Sequence, residues 1–229
     1  MHILFTRPEI DSVEFVKKFI QLGHRVSIFP ILTIVKKKIP TLDLAKYNSI
    51  IFTSANAVLS LEQEFSSNIR CFCVGNATAL QAKKKGFSNI VTAGGSYFQL
   101  REIIFNHSNT NDGKFLYIRG EYIANDLRSD LVSRGYQVDS FITYTTLPNI
   151  DFDPQTLQIL NDQIVDIIFI YSRRSADHFV KLIINNNLQS KCNSIQLRSI
   201  SENVLVPLKK IKWKNIKMFS PGSEEFCLD

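Results

Sequence analysis

The chain has 229 residues, 45% hydrophobic and 21% charged, enough for one large α/β domain or two of about 110 residues and too apolar for wholesale disorder. No apolar run reaches the ~20 residues that cross a bilayer, and the opening MHILFTRPE lacks a signal-peptide pattern, so Cys71, Cys73, Cys192 and Cys227 read as reduced thiols in a cytoplasmic setting; membrane, collagen and disulfide-scaffold classes are excluded. With 27 Lys and Arg against 21 Asp and Glu the net charge is +6, which suits nucleic acid, an anionic membrane surface or a polyanionic small molecule, although the lysine clusters at 36–38, 83–85 and 209–217 read equally as solvated faces.

In chain order, Ile3-Leu4-Phe5 reads as a buried strand, followed by a polar loop, an amphipathic helix closed by Gly23 and a second strand around Val26. Strands follow at Ile50-Ile51-Phe52 and at Cys71 to Val74, each leading into a helix pattern, then a strand at Asn89 to Val91 and a further helix after Gly95-Ser96. The same series then recurs. Without a gap, Arg7 falls on Arg119, Glu9 on Glu121, Gly23 on Gly135, Val26 on Val138 and Phe29 on Phe141. Ile50 to Ser54 resembles Ile168 to Ser172, and Cys73 to Val91 runs in one register along Ser199 to Lys217, with Lys83/Lys209, Lys84/Lys210, Asn89/Asn215 and Ile90/Ile216 identical. Gly95-Ser96 and Gly222-Ser223 close the copies after one shift. The ordered spacing points to an internal duplication. Short strands alternating with helices call for parallel sheets covered on both faces. The chain is expected to cross from copy to copy at 33–40 and 145–153, giving two lobes with a cleft.

Ligands of open parallel sheets sit beyond the carboxyl ends of the strands. That rule selects Thr6-Arg7, Thr53 to Asn56, Gly75 to Thr78, Gly94 to Ser96, Arg119-Gly120, Ser172 to Ser175, Ser201 to Asn203 and Pro221 to Ser223. Hydroxyls, amides, arginines and free N–H groups suit an anion; the same Ser, Thr and Asn residues serve as helix caps. No phosphate loop, GxGxxG or GxSxG elbow occurs. His2, His24, His107 and His178 are dispersed, so no metal site is expected. Cys71 and Cys73 share one face of a strand and read as core.

Leu4-Phe5-Thr6-Arg7-Pro8, Ile51 to Val58, Val74 to Ala79, Ile118-Arg119-Gly120 with Leu127 and Leu131, Val138 to Thr146 and Phe169 to Ala176 together resemble the uroporphyrinogen-III synthase family, in that family's order and over nearly the whole chain. The resemblance implies an α/β fold of two similar flavodoxin-like parallel-sheet lobes joined by a two-stranded connector, with the cleft between them. One lobe is expected from 1–35 plus 150–229 and the other from 37–148. It implies a cofactor-independent lyase that closes linear hydroxymethylbilane to uroporphyrinogen III, with inversion of ring D and loss of water through an azafulvene cation and a spiro-pyrrolenine. The octacarboxylate substrate fits the basic balance. The family also implies a monomer; a transient contact with hydroxymethylbilane synthase is a further possibility it raises, and the residues themselves lead to no expectation of a nucleic-acid or membrane partner.

Carried over by position, Tyr144 is the candidate general acid for departure of hydroxide, since a phenol with pKa near 10 is protonated at neutral pH; a strand-end aromatic packed between lobes is the other reading. Thr53, Ser54, Asn56, Gly75, Asn76 and Thr78 would bind acetate or propionate groups, as would Ser172, Arg173 and Ser175 from the other lobe. Arg7 or Arg119, the latter with Gly120, would pair with a carboxylate, or else form salt bridges to Glu9 and Glu121. The family's Gly-x-Thr-Thr loop is replaced by Ser199-Ile200-Ser201-Glu202-Asn203-Val204, leaving Ser201 as the stand-in and Glu202 as a negative charge that must point away. The short ending leads to the expectation of a clipped last helix. Two other classes remain: a cytoplasmic bilobed module that binds a polyanion without catalysis, and a nucleic-acid binder, which the lack of aromatic-interleaved lysines disfavours.

Overall fold

The computed structural model describes residues 1–8, 12–220 and 222–228. The elements are β1 (His2–Phe5), α1 (Val13–Gln21), β2 (Arg25–Ile28), β3 (Leu32–Lys36), β4 (Ser49–Phe52), α2 (Ala55–Leu59), β5 (Arg70–Cys73), α3 (Asn76–Lys84), β6 (Ile90–Thr92), α4 (Tyr97–His107) and β7 (Phe115–Gly120). There follow α5 (Leu127–Ser133), β8 (Val138–Pro148), α6 (Pro154–Asn161), β9 (Ile167–Ile170), α7 (Arg173–Asn185), β10 (Gln196–Ser199), α8 (Glu202–Leu208) and β11 (Asn215–Met218).

They form two compact units, Met1–Thr33 with Leu147–Asp229, and Ile34–Thr146. The first holds a sheet of order β11-β10-β9-β1-β2, the second a sheet of order β3-β8-β7-β4-β5-β6. Replacing each strand by its partner in the repeat turns β2-β1-β9-β10-β11 into β8-β7-β4-β5-β6, so the two sheets share one order. In the first unit this is 2-1-3-4-5, the flavodoxin order; in the second the chain enters at the equivalent of the third strand. The pairs β1·β2, β1·β9, β9·β10, β10·β11, β4·β5, β4·β7, β5·β6 and β7·β8 are all parallel.

Period-two alternation splits each sheet into two cores. In the first unit Leu4, Ile168, Ile170 and Leu197 face α6, α7 and α8, while Ile3, Phe5, Ile167 and Phe169 face α1. In the second, Ile50, Phe52, Cys71, Cys73, Leu116 and Ile118 face α2 and α3, while Ile51, Phe72, Phe115 and Tyr117 face α4 and α5. Cys71 and Cys73 are core as expected, their sulfurs 3.7 Å apart. Gly23 and Gly135 close α1 and α5 at φ of +80° and +89°, the left-handed conformation a Cβ disfavours.

The two-stranded connector is β3 with β8. Lys37 N–H donates to Thr143 O at 2.8 Å and Asn149 N–H to Ile31 O at 2.9 Å, one number rising as the other falls, so the pair is antiparallel. The structure departs from the sequence reading where the region after the second crossing holds a helix, α6, while the last helix of the first unit is a single 3₁₀ turn at Glu224–Cys227, in keeping with the clipped helix expected. Among the described residues no helix is long and apolar enough to cross a membrane.

Candidate functional site

In the Ile34–Thr146 unit, the carboxyl ends of β4, β5 and β7, with the bulged stretch of β8 beside them, carry most of the expected residues. Thr53 follows β4, and its Oγ1 shares a hydrogen bond with Tyr117 Oη at 3.2 Å. Burial pushes the Tyr117 phenol above its ordinary pKa, while the Thr53 bond and Arg119 oppose the shift. Ser54 caps α2, its Oγ accepting the Asn56 N–H at 3.1 Å. Gly75 opens α3 where the chain passes Gly95 closely; a Cβ there would lie 3.3 Å from Gly95 Cα. Asn76 is exposed, whereas Thr78 is buried on the inner side of α3.

Arg119 is the last but one residue of β7. Its Nε donates to Ser140 Oγ at 3.0 Å and its Nη1 to the carbonyls of Gly120 at 2.9 Å and Glu121 at 3.4 Å. Gly120 pairs with Tyr144 across a register shift, and Glu121 N–H donates to Tyr144 O at 2.9 Å. The half-buried Tyr144 ring packs on the core that contains Leu116 and Ile118. Expected residues Thr53, Arg119, Gly120 and Tyr144 thus stand at one sheet end, where Tyr117 bonds Thr53 and Ser140 bonds Arg119. The sequence reading singles out neither of those two as a site residue, although strand alternation puts Tyr117 on the Arg119 face.

In the other unit the equivalent arginine is committed internally. Arg7 Nε donates to Ser12 Oγ at 3.1 Å, its Nη2 lies 3.5 Å from Glu224 Oε1, and its guanidinium stacks 4.0 Å above the Tyr171 ring. Glu224 is fully buried. Burial lifts its carboxyl above the ordinary range, opposed by backbone N–H donors, that of Gly222 among them at 2.8 Å, and by Arg7. Burial likewise raises the Tyr171 phenol. Of the salt bridges weighed from sequence, Arg7 has Glu224 as a partner, and Glu121 pairs with Lys37 at 3.1 Å. Glu9 lies outside the described residues. Sequence reasoning misses Glu224 because Gly222-Ser223 reads only as a loop; in the repeat Glu224 stands opposite Tyr97.

Ser172 caps α7, accepting the Ser175 N–H at 3.0 Å and donating to Ser175 Oγ at 2.8 Å. Arg173 bonds Asp177 Oδ2 at 3.1 Å and Asn203 O at 3.1 Å. Ser201 opens α8 without a side-chain cap bond. Glu202 points along its helix to Lys209, 3.1 Å away. Among the described residues no group of three or more His, Cys, Asp or Glu could hold a metal ion.

A sequence model described as uroporphyrinogen-III synthase HemD matches residues 13–220. The fold is similar to that of uroporphyrinogen-III synthetase from Helicobacter pylori, at a TM-score of 0.62 and 18% identity over 97% of this chain and 94% of that one. It is also similar to a mutant uroporphyrinogen III synthase from the extreme thermophile Thermus thermophilus, at 0.50 and 14% identity over 95% and 92%. At such identities the structures speak for the fold alone. No curated protein sequence matches the chain.

Proposed function

The chain belongs to the uroporphyrinogen-III synthase family, and we propose that it closes hydroxymethylbilane to uroporphyrinogen III as a cytoplasmic monomer. The family match over 13–220 carries this reading; the position of Tyr144 beside Gly120, at the carboxyl end of β7, supports the chemistry assigned to it. Tyr144 donates its proton to the terminal hydroxyl as the C–O bond breaks, releasing water and leaving an azafulvene cation. Ring D attacks through its substituted carbon to give the spiro-pyrrolenine, which opens and recloses inverted. The pyrrole proton lost on closure returns to the phenolate. No electrons are gained or lost overall, so the step requires no redox cofactor.

The acetate and propionate groups are held by donors rather than by a single charged socket. Thr53, Ser54, Asn56, Gly75 and Asn76 supply hydroxyls and helix-start N–H groups, with Arg119 and Gly120 beside them, whereas Thr78, buried against the core, stays behind them. In the other unit, Ser172, Arg173, Ser175 and Ser201 offer the same kind of donors at their own helix starts. Arg7 joins them only by giving up Glu224. The work of such a site is selectivity as much as speed, since the linear substrate closes unaided to isomer I. The test is consumption of freshly generated hydroxymethylbilane: the folded chain should shorten its lifetime in proportion to protein concentration, and a lifetime equal to that in buffer would refute the reading.

A further inference from the structure

Gly120 is a glycine for reasons of space. It is absent from the glycines with positive φ, so its backbone is open to any L residue. A Cβ built on it would lie 2.6 Å from Tyr144 Cζ, 2.8 Å from Oη and 2.9 Å from Cε2. Those atoms are the hydroxyl-bearing end of the ring, the part of a tyrosine that swings most freely when pushed.

The register explains how the two meet. Arg119 pairs with Ile142 but Gly120 with Tyr144, leaving Thr143 as an extra residue in β8. Such a bulge reverses the alternation beyond it. Phe141 and Tyr144, three apart, therefore face the same core, where regular alternation would send Tyr144 to the opposite face. The extra residue is secured on both sides: Ser60 Oγ donates to Thr143 Oγ1 at 2.6 Å, and the Thr143 carbonyl accepts from Lys37 N–H.

We propose that Gly120, with the Thr143 bulge, is a positioning residue that sets where the Tyr144 hydroxyl stands. This rests on the synthase reading and revises the assignment of Gly120 to substrate binding. Gly120→Ala is expected to lower kcat for isomer III about 10²-fold with KM little changed, as for a misplacement of about 1 Å. In a Tyr144→Phe background, where no hydroxyl remains to misplace, the same substitution should cost less than about threefold. Carbon-13 labelling of the seven tyrosines gives an arm that needs no turnover. The Tyr144 Cζ resonance, identified by its loss in Tyr144→Phe, should move in Gly120→Ala. An equal factor in both backgrounds, or an unmoved resonance, would overturn the proposal. Should Gly120→Ala not fold, the pair Gly120→Ala/Tyr144→Ala should, the ring being gone; failure of that pair too would place the glycine's role in the backbone and overturn the proposal. A wild-type chain that makes no isomer III while the resonance still moves would sink the synthase reading yet leave the contact standing.

Discussion

Two arginines at equivalent places in the repeat have different fates. Arg119 rests on one hydroxyl and two carbonyls, groups a carboxylate can displace, whereas Arg7 is stacked on Tyr171 and faces a buried Glu224. Because the folded chain holds the Glu224 carboxyl above its ordinary range, it binds more protons than the unfolded chain within that window. The stability this gives is present in acid, below the ordinary carboxylate pKa, and declines as pH rises through the raised value. Glu224→Gln should therefore flatten the pH profile, costing more stability in acid than at neutral pH, as urea unfolding would show. A Gln cost that grows toward neutral pH would contradict the buried, elevated carboxyl. For Tyr144→Phe, loss of a general acid predicts a fall in kcat of about 10²-fold or more, with KM nearly unchanged; a change in KM alone would make Tyr144 a binding group. Among the thiols, Cys71, Cys73 and Cys192 are buried and Cys227 is partly exposed. Burial pushes Cys192 up to about 12, so a thiol reagent should label only Cys227 in the folded chain and all four in denaturant.

At the scale of elements, what sequence makes legible is whatever alternation and turn chemistry encode locally. Each repeat strand is a short apolar run, and Gly23 and Gly135 mark helix ends. The bulge in β8 is invisible there, because nothing in Val138 to Thr146 distinguishes an extra residue from regular alternation until the partner strand is known. Helix α6 escapes the sequence reading although its signals are present: Asp153 accepts the Thr156 N–H at 2.9 Å and the Thr156 hydroxyl at 2.6 Å, with Pro154 in the first turn. Asp153→Ala should cost about 1 kcal/mol in unfolding free energy and leave turnover alone, because α6 packs on the face of the first sheet rather than at its carboxyl ends. Several residues read as ligands are already helix caps, Ser54 and Ser172 among them; from sequence the two roles look alike, since a cap and an anion site both need a hydroxyl beside free N–H groups.

For the whole molecule, the duplication is legible as a register of identities, and the strand orders of the two sheets give that register its structural meaning. The α/β class with two parallel sheets follows from pattern alone. The entry of the chain at different strands in the two units does not, because a repeat aligned along the sequence says nothing of where each sheet begins. The net charge of +6 and an octacarboxylate substrate lead to one prediction at this scale: KM for hydroxymethylbilane should rise with ionic strength as the attraction is screened, while kcat holds. A KM indifferent to salt would mean that the carboxylates are read by short-range hydrogen bonds alone. The most direct test of the synthase assignment is the identity of the product. Hydroxymethylbilane generated by its own synthase is incubated with and without the chain, the product is oxidised to porphyrin, and the isomers are separated by chromatography. Isomer III in excess over the protein-free control is the expected result; isomer I alone, from folded protein, would contradict it.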